Sequence, residues 1–195
     1  ARLNFSSVPH RSAMAIDDEE RRKHVIVVNG VSKSLAMTGW RIGYAMGPKD
    51  IIDAAKRIQS HSTSGANSIA QYAAIAGLRA GQECVNHMLT AFKTRRDVLV
   101  EELSSIPKLE LAVPQGAFYA FPEVSAYCNG YLGETRIESD FDLTDALLKQ
   151  ANIACVPGTP FGTPGYLRLS FALGLEDIRE GLRRLKEALG TWREA

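Results

Sequence analysis

A short β-branched run, His24-Val25-Ile26-Val27-Val28-Asn29, breaks off at Gly30 into a loop that carries Lys33 and, eight residues later, Arg41. A run that is apolar almost throughout expects sheet neighbours and cover on both faces, and the pattern predicts a fully buried parallel strand. Ile42 to Met46 reads as a second strand, so the lysine and the arginine share one Gly-punctuated connection. Lysine condenses with aldehydes when its surroundings keep part of the amine neutral. Arginine forks around phosphate. The pair suits the two ends of a phosphorylated aldehyde. Taken alone, Lys33 between two serines also fits a solvated turn, and Arg41 beside Trp40 a surface stack. A nucleotide phosphate loop is excluded, because Ser32 and Val27 stand where that loop needs glycines.

The phosphorylated aldehyde that fits is pyridoxal 5'-phosphate. The stretch Ser32-Lys33-Ser34-Leu35-Ala36-Met37-Thr38-Gly39-Trp40-Arg41-Ile42-Gly43-Tyr44 resembles the lysine-bearing motif of class I aminotransferases, the fold-type-I pyridoxal-phosphate enzymes. The resemblance implies that Lys33 forms a Schiff base with the cofactor and that Arg41 binds its phosphate. Ser32 is implied as a further cofactor contact. The family often has a serine three positions before the lysine, where this chain has Gly30.

A second segment, Tyr166-Leu167-Arg168-Leu169-Ser170, sets one arginine among alternating apolar residues. A charge in a half-buried strand needs a partner, and read alone the simplest is a buried ion pair. The segment is similar to the aminotransferase strand whose arginine takes the substrate α-carboxylate, which assigns that role to Arg168. Three further stretches follow family order. Ser60 to Gln71 looks like the loop and helix start at the aminotransferase dimer interface. Pro114 to Phe121 resembles a Gly-Ala-Phe-Tyr strand entry, and Val156 to Gly162 a Pro-Gly-x-x-Phe-Gly loop. Each alone is ordinary turn chemistry.

The formal net charge of +1, with both signs interleaved, does not advertise nucleic-acid or anionic-membrane binding. No apolar run approaches the ~18 residues that span a bilayer. Cys84, Cys128 and Cys155 are odd in number and far apart, which argues against a disulfide framework and favours a reducing, cytoplasmic setting. Cys84 and His87 share a helical face, but two ligands make a poor zinc site, and no metal is expected. The charge run Asp17 to Lys23 reads as a solvated connection, and the Asn4-Phe5-Ser6 sequon carries little meaning.

The fold class expected is α/β: the C-terminal part of a fold-type-I large domain, with a mostly parallel sheet, followed by a smaller α/β domain. Pro48 opens a helix with Ile51, Ile52, Ala55 and Ile58 on one face. A small-residue helix over 66–78 precedes Gly81, and a longer one runs from Gln82 to about Ser105. Pro107 then breaks the pattern. Short strands are predicted near 109–113, 117–121, 153–156 and 166–171, with helices near 123–129, 140–151 and 175–189. The domains are therefore 1–105, the end of the large cofactor-binding domain, and 106–195, the small C-terminal domain.

The resemblance covers only the C-terminal half of such an enzyme. In the family, a Gly-rich phosphate loop, an aromatic residue on the pyridine ring and an Asp paired with the ring nitrogen come earlier. Ala1 to Phe5 resembles the stretch just after a tyrosine that follows that Asp, so the chain is expected to be a piece of a longer polypeptide. The activity implied is amino transfer between an α-amino acid, aspartate-like or aromatic/prephenate-like, and a 2-oxo acid, in a homodimer. Another fold-type-I enzyme, an aminotransferase-like regulator domain or a non-catalytic module are the alternatives.

Overall fold

Antiparallel pairing organises every sheet among the described residues, which in this computed structural model are 3–195; Ala1 and Arg2, the start of the stretch likened to the family's post-tyrosine segment, lie outside them. The chain divides into two units, Ala1–Leu89 and Thr90–Ala195. The division falls inside a single helix.

In the first unit, helix α1 (Glu19–Arg22) is capped by Asp18, whose carboxylate accepts from the Arg21 amide. It is exposed throughout and laced by local ion pairs, as the charge run predicts. Strand β1 (Val27–Gly30), the one-turn helix α2 (Val31–Ser34), strand β2 (Gly43–Met46) and helix α3 (Lys49–Ser62) follow. The parallel, fully buried strand expected over 24–29 is corrected here. β1 pairs antiparallel with β2, from Val27↔Met46 to Gly30↔Gly43. The twelve residues between the strands hold only a one-turn helix and a 3-10 turn, short of the helical crossover that parallel partners usually take. Val28 is 79% exposed and Ile58 73%. The whole of α3 buries nothing, although its isoleucines fall on one face.

Helix α4 (Ser68–Ser104) is continuous. The break expected at Gly81 does not occur, because one glycine inside strong helix formers costs only about 1 kcal/mol relative to alanine. Asn67 starts the helix by accepting the Ala70 amide at 3.0 Å. Ala70 and Ala74 lie buried with Val31 and Ile42, and Leu35, Met37 and Tyr44 pack on this small core.

The second unit holds strands β3 (Tyr119–Ala120), β4 (Gly130–Leu132), β5 (Thr135–Ile137), β6 (Val156–Pro157), β7 (Leu167–Ser170) and β8 (Trp192–Glu194), with helices α5 (Asp140–Ala151) and α6 (Leu175–Gly190). One sheet runs β3-β7-β6 and the other β5-β4-β8. The helix predicted near 123–129 shrinks to a 3-10 turn, Ser125–Tyr127, and the β4-β5 hairpin follows it. Gly133, at φ +58°, supplies the positive φ of that tight turn. The strand expected over 109–113 is one bridge, Glu110 to Glu123.

Helix α5 begins with a reciprocal cap. The Ser139 hydroxyl accepts the Asp142 amide at 3.3 Å and donates to the Asp142 carboxylate at 2.8 Å. That bond is the main cause holding the Asp142 carboxyl below its ordinary range. The helix ends at Asn152 in the left-handed region, φ 53°. Along α6, Ile178, Leu182, Leu185 and Leu189 recur at helical spacing and are buried. They join a core that includes Leu103, Leu143, Leu147, Leu167 and Phe171. No helix among the described residues is long and apolar enough to cross a membrane.

Phe171 is fully buried, and its ring meets Phe92 edge-on at 6.2 Å. Phe171→Ala is expected to cost about 3–5 kcal/mol in chemical denaturation, and Phe171→Leu clearly less. A loss below about 1 kcal/mol for the alanine variant would contradict this packing.

Candidate functional site

The connection that carries Lys33 and Arg41 is closed at its base. The Val31 amide donates to the Ile42 carbonyl at 3.3 Å, directly beyond the Gly30↔Gly43 pair. The start of α2 is thereby held beside the residue that follows Arg41. Gly30 permits this closure, since a Cβ there would stand 3.1 Å from the Ile42 carbonyl oxygen. Within α2 the side chains divide. Val31 is fully buried, Ser32 is half-buried and Lys33 is exposed. Leu35 and Met37 reach the small-residue stripe of α4, where a Cβ on Gly77 would come 2.7 Å from Leu35 Cδ1. Apolar anchors on both sides of Lys33 thus seat its turn on a helix.

Arg41 sits at φ 52°, ψ 45°, and Ala36 at φ 54°. Left-handed backbone costs a non-glycine residue about 1–2 kcal/mol, and such strain persists only where surrounding contacts overdetermine it. At Arg41 the constraint is its neighbour Ile42, pinned in the core. The Arg41 side chain is exposed, and Nη1 donates to the Thr38 carbonyl at 3.0 Å. The rest of its fork has no protein partner among the described residues. An exposed amine and an exposed guanidinium, fixed on one short connection, make a donor set that fits an aldehyde and a phosphate.

Arg168 lies in the second unit. β7 alternates: Leu167 and Leu169 are buried, and Arg168 lies half-buried on the opposite face. The ion pair that reading β7 alone would suggest is not there. Among the described residues no carboxylate lies within salt-bridge distance of Arg168. Instead its Cζ stands 4.7 Å from the ring centre of Tyr119 and 4.7 Å from that of Phe161. Aromatic faces stabilise a guanidinium without consuming its N–H donors. The arginine is held in place with its fork available.

Further rings support this arrangement. Phe121 meets Phe161 edge-on at 6.4 Å and stacks on Tyr166 at 5.1 Å. The Tyr166 hydroxyl donates to the Glu123 carboxylate at 3.0 Å, the main cause raising the Tyr166 pKa. Tyr119 and Phe161 fall inside the two motifs quoted above, but sequence reading gave them no contact with Arg168. Their signal was an aromatic residue at a fixed place in each motif. Two of the thiols are poorly suited to nucleophilic work: burial raises Cys128, and pushes Cys155 up to about 11.

The class I and II aminotransferase family matches residues 4–185. The chain is 43% identical over 173 residues to a probable aspartate/prephenate aminotransferase of Aquifex aeolicus, an alignment spanning 88% of this chain and 42% of that protein. It is 46% identical over 164 residues to an aspartate aminotransferase of Streptomyces avermitilis, 84% of this chain and 40% of that one. Among solved structures, the aspartate aminotransferase of Rhizobium meliloti superposes with a TM-score of 0.93 at 34% identity, over 98% of this chain and 48% of that chain. The aromatic aminotransferase of Pyrococcus horikoshii gives 0.85 at 30%, over 97% and 48%. The chain therefore spans less than half the length of these relatives, with the mixed α/β fold that they share over that span. It belongs to the class I and II aminotransferase family.

Proposed function

We propose that the chain is the lysine-bearing C-terminal part of a pyridoxal-phosphate-dependent aminotransferase, which exchanges an amino group between an α-amino acid and a 2-oxo acid. The observation that carries this reading is Arg168, a half-buried cation flanked by rings and lacking a carboxylate partner among the described residues. A substrate carboxylate is the partner such a fork suits. Aspartate-like and aromatic or prephenate-like amino acids are the proposed substrates, in line with the relatives named above.

Lys33 Nζ is the nucleophile that would hold the cofactor's aldehyde carbon, and Arg41 would hold its phosphate, with Ser32 as a further contact. Bound there, pyridoxal phosphate supplies an electron sink for negative charge developing at the substrate Cα. Displaced from the aldehyde carbon by the substrate's amino group, Lys33 Nζ would take the proton from the substrate Cα and return it during the transfer. Arg168 would fix the substrate carboxylate.

Residues 1–105 are assigned to the large cofactor-binding domain and 106–195 to the small domain. The apolar side chains exposed in the first unit, Val28, Ile58, Ile69 and Tyr72 among them, support its place within a larger body. A homodimer with the Ser60 to Gln71 segment at its interface belongs to the same proposal. So does a cytoplasmic setting, for which the three free cysteines argue.

The intact holoenzyme tests these roles by kinetics and cofactor titration. Lys33→Ala should bind the cofactor without a covalent link and lose nearly all turnover; wild-type turnover would end the assignment. Arg41→Ala should weaken cofactor retention by about tenfold to a hundredfold, the scale of a lost charge-assisted hydrogen bond. Arg168→Ala should keep the cofactor but lower kcat/KM for amino acids by about a hundredfold or more. Loss of cofactor with unchanged KM in that last variant would show that the two arginines have been misassigned.

A further inference from the structure

Asp140 is the one charged residue counted with the core among the described residues, 2% exposed, and no role above uses it. Burying a carboxylate is costly unless both oxygens find donors. Here both donors come from one residue: Asp140 Oδ2 accepts the Thr159 amide at 2.7 Å, and Oδ1 accepts the Thr159 hydroxyl at 2.7 Å. The carboxylate stands in the first turn of the twelve-residue helix α5, where the helix dipole favours a negative charge. It has no cationic partner among the described residues. The first turn of α5 is thus tied by two charge-assisted hydrogen bonds to the 3-10 turn Thr159–Phe161.

That turn presents Phe161 to Arg168. The Phe161 ring is half exposed, and its recorded ring neighbours are Phe121 and the Arg168 guanidinium. A half-exposed ring depends on its backbone for placement. The backbone is closed by Phe161 N to Gly158 O at 2.8 Å and Gly162 N to Thr159 O at 2.9 Å, bonds internal to the turn. Gly158 also donates to the Tyr166 carbonyl at 2.7 Å, and a Cβ on it would fall 2.2 Å from the Thr163 carbonyl oxygen. Beside that link and the β6-β7 pairing that leads into it, the turn is fixed to helix α5 through Thr159 and Asp140.

We propose that Asp140 is a positioning residue for substrate carboxylate recognition: through Thr159 it sets Phe161 against Arg168, and so holds the guanidinium fork in its binding orientation. The inference rests on the reading of Arg168 as the carboxylate ligand.

The test is steady-state kinetics of the intact holoenzyme at matched cofactor occupancy. Asp140→Ala should raise KM for the amino acid about 2- to 30-fold, the scale of a lost ring–cation contact, while kcat stays within about twofold. Asp140→Asn should restore KM toward wild type, because the amide can accept the Thr159 N–H and donate to its hydroxyl. In an Arg168→Ala background, Asp140→Ala should raise KM no further. Should Asp140→Ala fail to fold, Phe161→Ala removes an exposed ring and should show the same KM rise. An unchanged KM in Asp140→Ala or Phe161→Ala, an asparagine variant as impaired as the alanine variant, or additive KM effects with Arg168→Ala would overturn the proposal. If Arg168→Ala itself leaves KM unchanged, the carboxylate reading of Arg168 fails, and this inference with it. If only Arg168→Ala raises KM, the Asp140 proposal alone is wrong.

Discussion

The hydrogen bond from the Val31 amide to the Ile42 carbonyl, seated on buried Ala70 and Ala74, is the constraint on which the first unit's chemistry depends. It converts twelve residues of loop into a closed connection with both ends anchored in one core. Closing a loop of that size is entropically cheap to extend but needs something to hold it shut. The antiparallel β1-β2 pair and the alanine face of α4 provide it. Lys33 and Arg41, eight positions apart in sequence, share one frame because the residues just before and just after them are buried.

The second unit solves a different problem. A cation in the middle of an apolar strand must be stabilised without being neutralised. In its proposed role, an acid at that position would satisfy Arg168 and close it to an incoming carboxylate. Two aromatic faces hold the guanidinium and leave its hydrogen-bonding edge open. The Phe161 ring is held in turn by the Tyr166–Glu123 bond through Phe121 and by the Asp140–Thr159 tie. The acidic residues near this site therefore act on the arginine's neighbours.

Much of this was legible in the amino-acid pattern, and the failures share a cause. Helices α5 and α6 stand nearly where the sequence pattern places them. Where tertiary partners decide, the pattern misleads. The run 24–29 is apolar enough for a buried parallel strand, yet its strand partner among the described residues is the antiparallel β2, and Val28 is left exposed. Gly81 does not break α4, because local propensity is too weak to end a long helix. The hairpin over 130–137 and strand β8 are not legible in the pattern, because strands of three residues are too short to show an alternation. Arg41 and Arg168 are visible as isolated charges in apolar surroundings. Tyr119, Phe161 and Asp140 are invisible as a set, because each belongs to a different element and only the fold brings them to one arginine.

Lys33 is the proposed holder of the cofactor. Borohydride reduction of the intact protein loaded with pyridoxal phosphate, followed by peptide mass mapping, tests it most directly, since reduction fixes an amine–aldehyde link in place. The label should lie on Lys33, in the peptide that also contains Met37. A label on any other lysine, or none at full cofactor occupancy, would contradict the account.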